Sequence, residues 1–246
     1  MSVMNRDFAS RVLSLLDLTS LGEADTPARI RTLCAAAMGR HGSPAAVCVY
    51  PEHITTARQA LGGSGVKVAT VVNFPEGADD PARVERETRR AIAAGADEID
   101  MVLAWRALKA GDAATARAGV DACRAVCGPE IALKLILETG ELATPELIRQ
   151  ASELGLDAGV DFLKTSTGKV SVNATLEAAD IMLTVIAERG GRCGFKAAGG
   201  IRSLADARAY IELAEGKLGA GWATPERFRI GASALFDAIV AELGAE

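Results

Sequence analysis

The sequence predicts an α/β fold, a (β/α)8 barrel of the TIM-barrel type, as one domain over residues 1–246. Three observations predict it. Short apolar segments alternate with helical patterns, which is typical of parallel strands joined by crossover helices. The chain length suits a barrel, which needs about 250 residues. Charged residues also stand inside several of the apolar segments, as expected for barrel strands that carry a site.

The predicted strands are short runs of aliphatic and β-branched residues bounded by glycine, proline or polar residues. In chain order they cover residues 16–19, 46–50, 66–72, 98–103, 131–137, 161–165, 194–198 and 228–230. A short amphipathic stretch, residues 1–14, precedes the first strand. Hydrophobic residues make up 49% of the chain, which is enough for a sheet covered on both faces.

Apolar residues at helical spacing separate the strands. The predicted helices cover residues 27–40, 52–61, 81–94, 113–126, 145–156, 173–189, 204–218 and 232–243. Three of them begin with a capping side chain followed by proline at the first helical position, which favours a helix start. These pairs are Thr26-Pro27, Asp80-Pro81 and Thr144-Pro145.

A doubly wound open sheet is the main alternative fold. It is disfavoured because no Gly-x-Gly-x-x-Gly sequence follows an early strand. The pair Gly168-Lys169 is followed by Val170, so it is not a P-loop either.

Composition argues against several classes of function. The formal net charge is -5, and the basic residues form no block, so nucleic acid is not an expected partner. No apolar run is long enough to span a bilayer, and the N-terminal stretch lacks a secretory hydrophobic run. The five cysteines are odd in number and include no Cys-x-x-Cys pair, which favours reduced thiols and a cytoplasmic location.

The sequence offers no residue set for zinc or serine-nucleophile chemistry. Its two histidines, His41 and His53, are interpreted as solvated loop residues, so no metal site is expected. Ser64 stands between glycines but lacks the Gly-x-Ser-x-Gly spacing of a nucleophile elbow. Cys48 lies in a predicted strand and is interpreted as a core residue, with a reactive thiol at a pocket mouth as the alternative.

Lysines inside predicted strands are the strongest functional signal. Lys164 lies in the strand 161–165, where an ammonium group is costly to bury unless the site needs a neutral, nucleophilic amine. The alternative for one lysine is a strand end from which it snorkels to water. Asp100, Lys134 and Lys196 are embedded in other strands in the same way. Because those strands are neighbours in a barrel, we expect the four charges to converge on one interior site.

Small residues follow the last three predicted strands. Glycine lets backbone N–H groups approach an anion, and a helix N-terminus adds a favourable dipole. Barrels often bind phosphate with the loops after strands seven and eight, so we interpret these loops as a phosphate site; tight turns are the simpler alternative for any single glycine. The residues are Gly168, Lys169, Gly199, Gly200, Gly231 and Ser233.

Several segments, in order from about residue 16 to residue 233, together resemble the deoxyribose-phosphate aldolase family. They are Leu16-Asp17-Leu18-Thr19, Val47-Cys48-Val49-Tyr50-Pro51, Asn73-Phe74-Pro75, Ala96-Asp97-Glu98-Ile99-Asp100, Leu135-Ile136-Leu137-Glu138-Thr139-Gly140-Glu141-Leu142, Lys164-Thr165-Ser166-Thr167-Gly168-Lys169 and Gly194-Phe195-Lys196. The resemblance implies a (β/α)8 barrel that reversibly cleaves 2-deoxy-D-ribose 5-phosphate to D-glyceraldehyde 3-phosphate and acetaldehyde. It also implies that no metal or organic cofactor takes part.

The resemblance assigns roles to residues that the strand pattern had already selected. Lys164 would form the Schiff base, Lys196 would be the companion cation and proton-transfer residue, and Asp100 would handle protons. Beside these roles, the strand pattern places Asp17 on the first strand and Glu138 at the end of the fifth; with Lys134 and Thr19 they are the expected supporting residues of the proton relay. The family's phosphate-binding positions would fall on Gly168, Lys169, Gly199, Gly200 and Ser233, and Gly231 joins them only as the glycine that precedes the last helix.

The position of the charges around Lys164 decides its reactivity. We expect Lys196 to lie nearer to Lys164 than Asp100 does, which would lower the pKa of the Lys164 amine.

Two other functions stay open: a Schiff-base aldolase for a different phosphorylated sugar, and a barrel that binds a sugar phosphate without catalysis. The expected partners are a small phosphorylated sugar and short aldehydes, with no nucleic acid and no membrane, and the chain is compatible with a homodimer.

Overall fold

Eight parallel strands close into one barrel in the computed structural model, which describes residues 3–244 of the chain. Each strand pairs with its neighbours in sequence, and the first pairs with the last, which closes the ring. The strands are β1 Leu16–Ser20, β2 Ala46–Val49, β3 Lys67–Val72, β4 Glu98–Val102, β5 Ala132–Ile136, β6 Phe162–Lys164, β7 Gly194–Ala198 and β8 Phe228–Ala232. The predicted (β/α)8 barrel is therefore confirmed.

Helices alternate with these strands along the chain. They are α1 Val3–Ser14, α2 Pro27–Ala37, α3 Ile54–Leu61, α4 Pro81–Ala93, α5 Trp105–Lys109, α6 Ala113–Cys127, α7 Thr139–Leu142, α8 Pro145–Asp157, α9 Leu176–Glu188, α10 Leu204–Leu218 and α11 Ala234–Gly244. The three predicted proline starts are confirmed, because Thr26, Asp80 and Thr144 each accept a hydrogen bond from the backbone N–H three residues later. Among residues 3–244, none of the helices combines the length and the apolar character needed to cross a bilayer.

Some predicted boundaries differ from the structure. The helix predicted from residue 173 begins at Leu176, because Thr175 is its capping residue. The last helix begins at Ala234, because β8 continues to Ala232. The short helices α5 and α7 were not predicted, since each is too brief to show a helical period. The stretch 1–14 forms α1 from Val3 onward, and its first two residues lie outside the described part of the chain.

The prediction for His53 is wrong. It was interpreted as a solvated loop residue, but only 6% of it is exposed, and Nδ1 is buried without a hydrogen-bond partner. The physical reason is a short 3₁₀ turn, Pro51–His53, which packs the residue against α3 and β3 instead of leaving it in an open loop.

The inner face of the barrel has a side made of small residues. Ala46 and Cys48 of β2 and Ala69 and Val71 of β3 form an apolar group separate from the main core, which lies between the sheet and the helices. Cys48 is fully buried, and burial raises the pKa of its thiol, so its interpretation as a core residue is confirmed. These small side chains leave volume for long side chains from the opposite strands.

Strand register places the long side chains of the other strands on the same inner face. Asp100 of β4 lies beside Lys134 of β5 in the ladder, and Lys164 of β6 lies beside Lys196 of β7. Partners in a parallel ladder point to the same side of the sheet, because side chains alternate with a period of two. The closed ring therefore directs all four side chains toward the barrel axis.

Candidate active site

Charged side chains from six strands meet inside the barrel, and each of them is buried. They are Asp17 of β1, Glu98 and Asp100 of β4, Lys134 of β5, Lys164 of β6, Lys196 of β7 and Arg229 of β8. The predicted convergence of Asp100, Lys134, Lys164 and Lys196 is confirmed. Buried charges are tolerated only where they are paired, so the contacts within this cluster define its chemistry.

Lys164 lies at the base of an open cleft, with 3% of its surface exposed. Its Nζ donates a hydrogen bond to Asp100 Oδ2 at 2.7 Å. Burial has the largest effect on the pKa of Lys164 and lowers it, because desolvation penalises the ammonium form. Asp100 opposes this effect and Lys196 adds to it, and the net direction of the pKa is downward. A lowered pKa increases the fraction of free amine, the form that attacks carbonyl carbon.

Lys196 is fully buried, and its pKa is shifted in the opposite direction. Its Nζ donates to Asp17 Oδ2 at 2.5 Å and to Asp100 Oδ2 at 2.7 Å. Burial would lower the pKa of Lys196, but the two carboxylates outweigh burial and raise it. Lys196 is therefore an ammonium ion at neutral pH, which is a proton donor and a fixed positive charge beside Lys164.

The expected order of charges around Lys164 is wrong. Asp100 is in direct contact with the Lys164 amine, and its influence on the pKa of that amine exceeds the influence of Lys196. The physical reason is that one oxygen of Asp100 lies between the two lysines and accepts from both. The pKa of Lys164 is nevertheless lowered, because burial outweighs the attraction of the carboxylate.

Asp100 is the central acceptor of the cluster. Its Oδ1 accepts from Lys134 at 2.7 Å, and its Oδ2 accepts from Lys164 and Lys196. Burial alone would raise the pKa of Asp100, but the three lysines outweigh burial and hold that pKa well below its usual range. A carboxylate oxygen shared by two amino groups is placed to pass a proton between them.

A deeper layer of the cluster contains two residues that the sequence reasoning missed. Arg229 contacts Asp17 Oδ1 at 2.7 Å and binds both oxygens of Glu98, at 2.9 and 3.1 Å. Glu98 also lies 2.6 Å from the Nζ of Lys134. The signal for both was present in the sequence, because Arg229 is a charge inside an apolar strand and Glu98 shares a strand face with Asp100.

The cleft above Lys164 has a volume of about 490 Å³ and opens at the carboxyl ends of the strands. Every residue of the predicted phosphate site lines it, namely Gly168, Lys169, Gly199, Gly200, Gly231 and Ser233. Arg29 and Arg202, which were not predicted, line it as well. Three basic side chains around an opening that reaches a lysine amine favour an anionic ligand.

Glycine at position 231 has a second consequence for the site. A Cβ atom at this position would lie 3.0 Å from Cε of Lys196 and 3.1 Å from Cβ of Ala198. These separations are too short for comfortable packing, so the glycine leaves the space in which the Lys196 chain extends. Gly231 therefore lines the cleft and also makes room for the charged lysine.

Glu138 and Thr19 lie at the edge of the cluster and make local contacts. Glu138 adopts a left-handed backbone conformation, with φ of 58°. Its carboxylate accepts from the N–H and hydroxyl of Thr167, and burial raises its pKa. Thr19 lines the cleft and donates to the carbonyl oxygen of Asp17. Glu138 thus joins the loops after β5 and β6, whereas the hydrogen bond of Thr19 lies within β1, and these hydrogen bonds involve no lysine amine.

Comparisons with known proteins agree with this geometry. A sequence profile of the DeoC/LacD family aldolases matches residues 11–238. A solved structure assigned as a deoxyribose-phosphate aldolase from Coccidioides immitis is 30% identical, with 95% of this chain and 86% of that chain covered and a TM-score of 0.84. One assigned in the same way from Toxoplasma gondii ME49 is 27% identical, with 99% and 98% covered and a TM-score of 0.90.

A third similar structure extends the likeness of fold. It is a tetrameric deoxyribose phosphate aldolase from Aeropyrum pernix, 24% identical, with 96% of this chain and 91% of that chain covered and a TM-score of 0.77. The class defined by the fold and the buried lysines is thus an aldolase on a (β/α)8 barrel. This chain belongs to the DeoC/LacD aldolase family.

Proposed function

We propose that this protein reversibly cleaves 2-deoxy-D-ribose 5-phosphate to D-glyceraldehyde 3-phosphate and acetaldehyde through a Schiff base on Lys164. The observation that carries the proposal is the pair of buried lysines, one with a lowered pKa at the base of the cleft and one held as an ammonium ion beside it. The names of the similar aldolases support the substrate, and the glycine-lined cleft with its basic side chains supports a phosphate group.

The chemistry begins with attack of the Lys164 amine on the aldehyde carbon C1. Loss of water from the adduct gives a protonated imine, which is an electron sink. The acetaldehyde product contains C1 and C2, so the bond that breaks is C2–C3. A base removes the proton of the C3 hydroxyl, the C2–C3 electron pair moves toward the imine, and C3 leaves as an aldehyde. Protonation of the resulting enamine at C2 and hydrolysis release acetaldehyde and restore the amine.

The neighbouring charges are suited to the proton steps. Lys196 is an ammonium donor, and Asp100 contacts both lysine nitrogens, so a proton has a path of hydrogen bonds between them. We propose Lys134 and Asp17 as supporting residues that hold Asp100 and Lys196 in place through direct ion pairs. Glu138 would support the loop after β6, and Thr19 would support the end of β1. The proposed route needs no metal ion and no organic cofactor.

Two further properties belong to this proposal. We propose a cytoplasmic location, because all five cysteines are free thiols. A homodimer stays a prediction, and gel filtration with light scattering measures it.

Trapping the imine tests the proposal. Acetaldehyde with sodium borohydride should add one ethyl group to the peptide that contains Lys164, because reduction fixes the imine as a secondary amine. Mass spectrometry after digestion locates the label, and Lys164→Met is the control that should stay unlabelled. Label on Lys196 or Lys134 would contradict the assignment of the nucleophile.

Two competing functions give different results in the same assay. A barrel that only binds a sugar phosphate would form no imine. A Schiff-base aldolase for another sugar would be labelled by acetaldehyde poorly or not at all and would cleave a different phosphorylated aldehyde or ketone. Release of acetaldehyde from 2-deoxyribose 5-phosphate, coupled to an alcohol dehydrogenase, separates these cases.

A further inference from the structure

Two buried charged residues beneath the cleft have no part in the proposed aldol chemistry. Glu98 and Arg229 are 4% and 6% exposed, and neither lines the cleft. The guanidinium group of Arg229 binds Glu98 with two hydrogen bonds and also lies 5.5 Å from the ring centre of Phe162. A buried ion pair adds little stability over well-packed apolar residues, so its presence beneath a reactive amine calls for another explanation.

The charges of the barrel interior supply that explanation. The carboxylates are Asp17, Glu98 and Asp100, and the cations other than Lys164 are Lys134, Lys196 and Arg229. The three negative charges equal the three positive charges. A proton on Lys164 would therefore leave one positive charge without a carboxylate in a region from which water is largely excluded.

The other groups near Lys164 are not ion-paired with these six charges. On β2 and β3 the inner face consists of Ala46, Cys48, Ala69 and Val71, and burial keeps the Cys48 thiol protonated and neutral. At the end of β5, Glu138 accepts two hydrogen bonds from Thr167 and has no ion pair with the six charges; its attraction for Lys164 is the same in every variant of Arg229 or Glu98. The balance of six charges is thus the setting in which the Lys164 amine titrates.

We propose that Arg229 and Glu98 are positioning residues that set the net charge of the barrel interior at zero, so that Lys164 is held as a free amine. Arg229 pairs with Asp17 alongside Lys196. The negative charge of Asp17 is then already balanced, so it does not favour a proton on Lys164. Glu98 in turn offsets the guanidinium and keeps Lys134 protonated. This inference rests on the proposed function of Lys164, and neither residue touches the substrate.

Substitutions that remove charges of opposite sign should shift the pH profile of imine trapping in opposite directions. Arg229→Met leaves the interior one charge more negative, which raises the pKa of Lys164 and reduces free amine at pH 7 by about tenfold or more. Its pH profile of imine trapping should move toward higher pH. Glu98→Gln leaves the interior one charge more positive, so the profile should move toward lower pH. The double variant Glu98→Gln with Arg229→Met removes one charge of each sign and should return toward the wild-type profile.

The experiment measures the rate of borohydride trapping with acetaldehyde from pH 5 to 10, for the wild type, the two single variants, the double variant and Arg229→Lys. Arg229→Lys is the matched control, because it disturbs the same packing but keeps the charge, and its profile should stay near that of the wild type. Thermal unfolding identifies any variant that does not fold.

The outcomes separate this inference from the proposed function. No label on Lys164 in the wild-type protein overturns the proposed function. If wild-type Lys164 is labelled but Arg229→Met and Arg229→Lys have the same pH profile of trapping, only the charge-balance role is overturned. If Arg229→Met does not fold, Glu98→Gln decides alone: a shift of its profile to lower pH supports the inference, and an unmoved profile contradicts it.

Discussion

At the scale of single residues, the pKa values of two lysines on adjacent strands are shifted in opposite directions. Lys164 and Lys196 are register partners and share one carboxylate oxygen. They differ because Lys196 also binds Asp17, whereas Lys164 contacts a single carboxylate at the base of the cleft. One additional ion pair is enough to reverse the effect of burial on the pKa of an amine.

Replacing Lys196 tests this account at the residue scale. Lys196→Met removes a positive charge and leaves Asp100 with one cation fewer, and both changes raise the pKa of Lys164. Imine trapping at pH 7 should fall by about tenfold or more, and the defect should shrink as the pH approaches 10, where titration restores the free amine. The measurement is the trapping rate against pH, with the exposed Lys67→Met as control. An equal defect at pH 7 and pH 10 would leave Lys196 as a proton donor or structural residue, not a tuner of the pKa.

At the scale of elements, the loops after β1, β6, β7 and β8 build the mouth of the cleft. The loop after β6 is tied to the loop after β5 by Thr167 and Glu138. It is tied to the loop after β1 by Lys169, whose Nζ donates to the carbonyl oxygen of Leu21 at 2.6 Å. Gly199 and Gly200 follow β7 with positive φ angles, which side chains other than glycine rarely adopt. The cleft therefore depends on loop contacts and on backbone conformations that few residues allow.

Adding charge to this mouth tests its role as a phosphate site. Ser233→Glu places a carboxylate in the cleft, which should raise KM for 2-deoxyribose 5-phosphate by about tenfold or more through repulsion of the phosphate. Ser233→Gln is the matched neutral control of similar size and should have a much smaller effect. Steady-state kinetics with phosphorylated and unphosphorylated deoxyribose give the comparison. An equal rise in KM for both sugars would show that these loops do not bind the phosphate group.

At the scale of the whole molecule, the closed barrel replaces part of an apolar interior with an ion-pair network. Small side chains from β2 and β3 face long charged side chains from β4 to β8, and the ring holds both sides together. Such a network tolerates the loss of one partner poorly, because the remaining charges stay buried without compensation.

Stability measurements should show this dependence. Lys134→Met leaves Asp100 and Glu98 with one cation fewer and should lower the free energy of unfolding at pH 7 by about 3–5 kcal/mol. Lys67→Met, at the exposed start of β3, is the matched control and should change it by less than about 0.5 kcal/mol. Urea unfolding followed by circular dichroism measures both. A loss of similar size in the two variants would mean that the interior network does not stabilise the fold.

The sequence by itself determined the alternation of strands and helices, the helix starts and the presence of charges inside strands. These signals are local, because hydrophobic period and capping residues act over a few positions. They were sufficient to select Lys164, Lys196 and Asp100 as site residues, and the resemblance to an aldolase family added their expected roles. The same local signals did not reveal α5 and α7, which are too short to show a period.

Only the tertiary structure decided which charges touch. Arg229 meets Asp17 across 212 positions of sequence and Glu98 across 131, and both contacts exist because β8 closes the ring against β1. The order of charges around Lys164 was likewise decided by strand register, which places a single oxygen of Asp100 between two lysines. Burial and distance set the pKa of each amine, and neither quantity is a property of the sequence until the barrel closes.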